Sequence, residues 1–140
     1  VINDAYSVRL FTNNNIELLV SQSYAKNMGL YSERIGALNI VCNSNIIAKG
    51  VKSLCESIIR SSFSNCPSHG ARIVSLILLN KELYNEWLNE LNMVVNRIKK
   101  MRDLLKNKLI NNKCPGNWDH ITKQIGMFSY TGLDVEQSKR

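Results

Sequence analysis

Leu83, Trp87, Leu91, Val94, Ile98, Met101, Leu105 and Leu109 recur at gaps of 4, 4, 3, 4, 3, 4 and 4 residues, the pattern of one long amphipathic helix. Asn80 stands before the run as a cap, and Asn111-Asn112, followed by Cys114-Pro115-Gly116, close it. Some thirty residues rising 1.5 Å each make a rod of about 45 Å, longer than a small domain is wide. Such a helix joins two bodies, either as a coiled-coil arm or as a crossing from one domain to another. Leu88 and Val95 widen the apolar stripe, which favours packing against a globular surface over a two-residue seam.

The flanks of this rod read differently. Residues 16–21 (IELLVS) and 35–42 (IGALNIVC) are short apolar runs of strand length. They bracket residues 23–34 as strand, loop, strand, and continuous apolar strands belong in sheets covered on both faces by helices. Val51, Leu54, Cys55, Ile58 and Ile59 then fall at helical spacing within 51–62. Residues 63–70 (FSNCPSHG) read as a loop broken by Pro67 and Gly70, and a buried helix runs from Ser68 or Gly70 to about Leu79. Beyond the rod, residues 127–130 read as a strand that opens a second unit. No internal repeat is visible.

A chain of 140 residues with 44% hydrophobic and 21% charged side chains has an ordinary globular mix, which excludes wholesale disorder. The longest apolar stretch, 73–79, is interrupted at Ser75 and falls far short of the ~20 residues of a membrane span. Val1 is not an initiator methionine, and residues 1–10 have neither the basic head nor the apolar segment of a signal peptide, so a piece of a longer protein is expected. The net charge is +7, and seven cations between 97 and 113, opposed by Asp103 alone, account for nearly all of it. No aromatic residue interleaves with them to stack bases, so they read as the wet face of the helix, and neither a nucleic-acid nor a membrane partner is expected. A non-catalytic basic module for an anionic partner is the competing reading. Cys42, Cys55, Cys66 and Cys114 form no CxxC pair, and nothing nearby completes a site around Cys66 and His69, so no metal centre is expected.

Chemistry concentrates in SQSYAKNMGLYSERIG, residues 21–36. Lys26 follows a strand into a loop, where a lysine that loses its water can lose its proton and act as a Schiff-base nucleophile. Ser23 offers a hydroxyl, and Arg34 a planar fork suited to a phosphate dianion. Gly29 and Gly36 permit turns that return the arginine to the lysine. An amine for a carbonyl, with a hydroxyl and a guanidinium for a phosphate, is the set of groups that pyridoxal phosphate requires. On spacing alone, a lone lysine in a loop reads first as a solvated surface lysine, and Arg34 beside Glu33 as half of a surface ion pair. Ser23-x-x-Lys26 also invites serine acyl-transferase chemistry, but no SDN or KTG partner element accompanies it.

Residues 23–36 closely resemble the cofactor-lysine segment of the aspartate aminotransferases, within the class-I pyridoxal-phosphate-dependent aminotransferases. The likeness continues collinearly through 60–72 (RSSFSNCPSHGAR), Tyr84-Asn85-Glu86-Trp87, Met101-Arg102 and 118–133 (WDHITKQIGMFSYTGL). It implies an α/β fold: residues 1–80 as part of a cofactor-binding large domain with a mainly parallel sheet and covering helices, 81–113 as the interdomain helix, and 114–140 as the start of an incomplete small α+β domain. It implies Lys26 as the catalytic residue that joins pyridoxal 5'-phosphate as a Schiff base, and Ser23 and Arg34 as anchors of the phosphate. Arg60 is implied to bind the distal carboxylate of a dicarboxylic substrate, reaching the neighbouring subunit's site in a homodimer with shared active sites, and Phe128 to line the substrate pocket. The implied reaction moves an amino group reversibly between L-aspartate and 2-oxoglutarate, giving oxaloacetate and L-glutamate. The compartment implied is cytoplasmic, with mitochondrial or plastid alternatives, and another substrate preference within class I is the nearest alternative function. Three positions depart from the family pattern: Cys66 replaces a usual proline, Ser32 a glycine or asparagine, and Ala25 a serine found in some members. Other groups of the family's site are implied to lie outside these 140 residues, so the chain alone is expected to be inactive.

Overall fold

A computed structural model describes residues 3–139. The two apolar runs form a hairpin: β1 (Leu18–Ser23) pairs antiparallel with β2 (Gly36–Val41), from Leu18 opposite Val41 to Ser23 opposite Gly36. The connection, residues 24–35, makes turns and no helix, and without a crossover helix the returning chain pairs antiparallel. Among the described residues the expected cover reaches only one face of the pair. Leu19 is 70% and Leu38 56% exposed, and the register puts both on one face of the pair. On the other face Leu18, Val20 and Ala37 are half-buried.

Side-chain caps mark where three of the helices begin. A short helix, α1 (Tyr6–Asn13), precedes the hairpin and was not legible in the opening residues. α2 (Asn45–Phe63) starts well ahead of its apolar spacing because the Ser44 side chain accepts from the Ile47 N–H. It ends at Ser64, whose φ of 72° turns the chain while its N–H donates to the Ile59 carbonyl. α3 (His69–Leu79) follows the loop as the spacing predicts. Asn80 is the cap foreseen for the rod: its Oδ1 accepts from the N–H groups of Glu82 and Leu83 at 2.9 and 3.1 Å. The rod itself, α4 (Lys81–Asn111), has 31 residues. Two short helices, α5 (His120–Lys123) and α6 (Val135–Ser138), complete the chain, the second started by an Asp134–Gln137 capping box. No helix among the described residues is long and apolar enough to cross a membrane.

The chain divides into two compact units, Val1–Tyr84 and Asn85–Arg140. In the second, residues 127–130 are not a strand, contrary to their apolar pattern. Side chains supply the bonds that a neighbouring strand would. The Gln124 amide bonds both main-chain groups of Tyr130, accepting from its N–H at 2.6 Å and donating to its carbonyl at 2.9 Å. The Arg102 guanidinium donates to the carbonyls of Gln124, Gly126 and Phe128 at 2.8, 2.7 and 3.1 Å. The reading of residues 97–113 as a solvated face therefore needs correction at two positions. Arg102 is a tertiary clasp, and Lys106 pairs with Asp119 at 2.8 Å. Ile121, two residues after Asp119, is buried and provides the apolar counterpart.

Two predictions follow from this clasp. Arg102→Ala leaves three carbonyls without a charged donor, and a loss of about 2 kcal/mol in unfolding free energy is expected, with faster amide exchange over 124–130. Unchanged denaturation and exchange would show that the segment holds itself. The second concerns acid. The hydrogen bond and charge of Lys106, helped by Lys123, hold the Asp119 carboxyl below its ordinary value. A carboxylate lowered on folding stabilises the protein above its unfolded pKa of about 3.9 and loses that contribution as the pH falls through the depressed value. Asp119→Asn is expected to flatten the fall in stability below about pH 4, measured by denaturant midpoints across an acid series.

Candidate active site

The end of the hairpin gathers the reactive groups. At Gly36 a Cβ would stand 2.7 Å from the Gln22 carbonyl oxygen, so glycine is what lets β2 start that close to β1. Tyr24 N–H donates to the Ile35 carbonyl at 3.1 Å and closes the end of the ladder. Past it, the Ser23 hydroxyl accepts from the Ala25 N–H at 3.2 Å, and Ala25 is buried, which pins the first residue of the turn. Met28 N–H bonds the Tyr24 carbonyl and Gly29 N–H the Lys26 carbonyl, each at 3.3 Å, so Lys26 rides on a tight turn. Gly29 leaves that turn with φ +67°, a conformation that glycine adopts without strain.

Tyr31 joins the two cations. The Lys26 Nζ lies 4.0 Å from its ring centroid, within cation–π range, and Arg34 Nη1 donates to its carbonyl at 3.0 Å. Arg34 itself adopts φ +48°, unusual for a side chain with a Cβ. Of the residues singled out in the sequence, Ser23, Lys26 and Arg34 thus come together at one end of one hairpin. Tyr31 was missed, since a tyrosine in a turn carries no spacing signal.

Two others stand elsewhere. Arg60 lies in the last turn of α2, where its charge complements the helix C-terminus, and its Nη1 donates to the Ser64 hydroxyl. Phe128 belongs to the second unit, 75% exposed, with its carbonyl on Arg102. Lys26 is exposed in this chain, so the desolvation that a nucleophilic amine needs does not come from these residues. A cleft of about 510 Å³, lined by Val94, Met101, Ile121, Met127 and Tyr130 among others, lies in the second unit and holds none of the hairpin groups.

The hairpin end can do limited but definite chemistry. Ser23, with its oxygen already accepting from Ala25, retains an O–H to donate. A guanidinium carries five N–H donors, and the bond to Tyr31 uses one. A hydroxyl and a guanidinium suit a phosphate dianion, and a primary amine on the same turn suits an aldehyde carried by the same molecule.

Known proteins resemble this chain along nearly its whole length. The family description "Aminotransferase class I and II" matches residues 1–140. The cytoplasmic aspartate aminotransferase of Oryza sativa subsp. japonica is 52% identical over 134 residues, 96% of this chain and 33% of the rice protein. The chloroplastic aspartate aminotransferase 3 of Arabidopsis thaliana is 51% identical over 134 residues, 96% of this chain and 30% of its own. Among solved structures, the aromatic-amino-acid aminotransferase of Burkholderia pseudomallei, covalently bound to pyridoxal phosphate, superposes with a TM-score of 0.93 at 40% identity, covering 99% of this chain and 35% of that one. The chain spans about a third of the length of the curated relatives it matches. The α/β fold class expected from the sequence is that of these neighbours. A lysine, a serine and an arginine converge on one turn, in a sequence that the family description covers from end to end, and the chain belongs to the class I and II aminotransferases.

Proposed function

We propose that the whole protein is an aspartate aminotransferase, moving the amino group reversibly between L-aspartate and 2-oxoglutarate to give oxaloacetate and L-glutamate. The observation that carries this reading is the placement of Ser23, Lys26 and Arg34 on one hairpin end, in a chain about half identical to proteins of that name. The residues fit pyridoxal 5'-phosphate by the chemistry of their donors: a dianion for Ser23 and Arg34, an aldehyde for Lys26. When bound, that group supplies an electron sink for the substrate Cα.

The protein's own residues do the rest. Ser23 and Arg34 would hold the phosphate. Lys26 Nζ would move the proton between the substrate Cα and the cofactor C4′, in one direction for each half-reaction. The ring of Tyr31, 4.0 Å from the Lys26 Nζ, gives the side chain a place to rest between these tasks. Arg60 grips the distal carboxylate in a two-pronged contact, from one subunit of a homodimer into its partner's site. Phe128 adds an apolar wall to the substrate pocket. Residues 1–80 serve as part of the large domain, 81–113 as the link and 114–140 as the beginning of the small domain. The compartment is cytoplasmic, as for the rice relative, with a plastid or mitochondrial address as the alternative. Because Lys26 and one face of the hairpin are exposed in these 140 residues, the isolated chain is expected to be inactive.

Reduction of the whole native protein with borohydride in the presence of pyridoxal phosphate is expected to leave the pyridoxyl group on Lys26, and Lys26→Ala to abolish the label. Labelling at any other position overturns the assignment. A second reading, a class-I aminotransferase that prefers other side chains, has the aromatic-amino-acid enzyme among the structural neighbours in its favour. Arg60→Asp separates the two. If Arg60 meets a dicarboxylate, the ratio of kcat/KM for aspartate over a cationic amino acid drops on the order of 100-fold or more. An unchanged substrate order removes Arg60 from that role.

A further inference from the structure

Arg34 holds a left-handed backbone conformation, φ +48°, and on each side of it the chain rests on the first turn of α3. The point of contact is Gly70, which is buried. A Cβ built there would lie 2.9 Å from the Ile35 Cβ, 3.2 Å from the Glu33 Cβ and 3.3 Å from the Ile35 Cγ1. Carbon atoms in good contact sit roughly 3.5–4.0 Å apart, so neighbours on both sides of Arg34 would have to move. Two of the three atoms are Cβ atoms, fixed to the backbone, and no rotamer change relieves them. The His69 Nε2, one residue earlier, lies 4.0 Å from the Glu33 carboxylate and adds a second link between the same two segments.

From this geometry we infer that Gly70 is a positioning residue for Arg34: the bare backbone at the start of α3 is the seat on which the 33–35 turn is held, and it sets where the guanidinium stands. This rests on the proposed role of Arg34 as a phosphate anchor. A glycine kept in a helix for any other reason would behave differently. Gly50, inside α2, has nothing within 4 Å of a Cβ position, and there alanine simply favours the helix.

The experiment compares Gly70→Ala with Gly50→Ala in the whole native protein, using pyridoxal phosphate and its dephosphorylated form, pyridoxal, as probes in equilibrium binding to the cofactor-free protein. Gly70→Ala is expected to weaken pyridoxal phosphate at least tenfold while pyridoxal changes by less than twofold, because the displaced group meets only the phosphate. Gly50→Ala is expected to bind both as the wild type does. Equal losses for the two probes, or no loss for either, overturn the inference. If Gly70→Ala does not accumulate as folded protein, Gly70→Ala/Ile35→Gly removes both contacts to Ile35, the shortest one included. Folding and phosphate-dependent binding must then return to within threefold of Ile35→Gly alone, and a failure to recover counts against the inference. Wild-type protein that binds neither probe, or carries its borohydride label away from Lys26, would instead defeat the functional reading itself, so the two failures are distinguishable.

Discussion

The first unit depends on the place where β1 and β2 stop pairing. Ser23 faces Gly36 across the last rung, and only a residue without a Cβ brings the second strand that near to the Gln22 carbonyl. From this rung the chain leaves as a serine-bounded turn and returns as an arginine-bearing one. Shift the register by one residue and every side chain changes face. Ser23 would then no longer face Gly36 at the mouth of the turn. Ser23, at the end of β1, and Lys26 and Arg34, in the 12-residue turn after it, are therefore placed by backbone pairing and by the turn that the pairing closes.

The second unit solves a different problem. A segment with an apolar strand pattern lies next to a helix and finds side chains, not a strand, to satisfy its backbone. Gln124 imitates one rung of a ladder and Arg102 satisfies three carbonyls at once. Burial in this unit is slight, Ile121 being its fully buried apolar residue among those described, so charge-assisted hydrogen bonds carry more of the organisation than area does. The Lys106–Asp119 pair belongs to the same economy of contacts and makes it sensitive to acid.

Much of this was legible in the residue order because it depends on neighbours in the chain. The rod from Lys81 to Asn111 follows from periodicity, its start from the Asn80 cap, and the break at 64–68 from turn chemistry. The proposed site could be read from the residue order for another reason: Ser23 at the end of β1 and Lys26 and Arg34 in the turn after it lie within twelve residues. Where the reading failed, the missing information was a partner distant in sequence. The 127–130 segment looked like a strand because periodicity cannot say whether another strand will be alongside. Arg102 and Lys106 looked solvated because the carbonyls and the carboxylate they meet are encoded more than ten residues later.

Local order, then, settled the helices over 69–79 and 81–111, the Asn80 cap at the start of the second, and the nearness in sequence of Ser23, Lys26 and Arg34, since each of these is decided by residues a few positions apart. Tertiary structure alone decided that the strands pair antiparallel with one face open, that two of the seven clustered cations are clasps, and that Gly70 is needed for the closeness of α3 to the arginine turn. The physical reason is common to all three. Each rests on a distance between atoms that the chain brings together only by folding, and a glycine at a close approach looks in sequence like any other glycine.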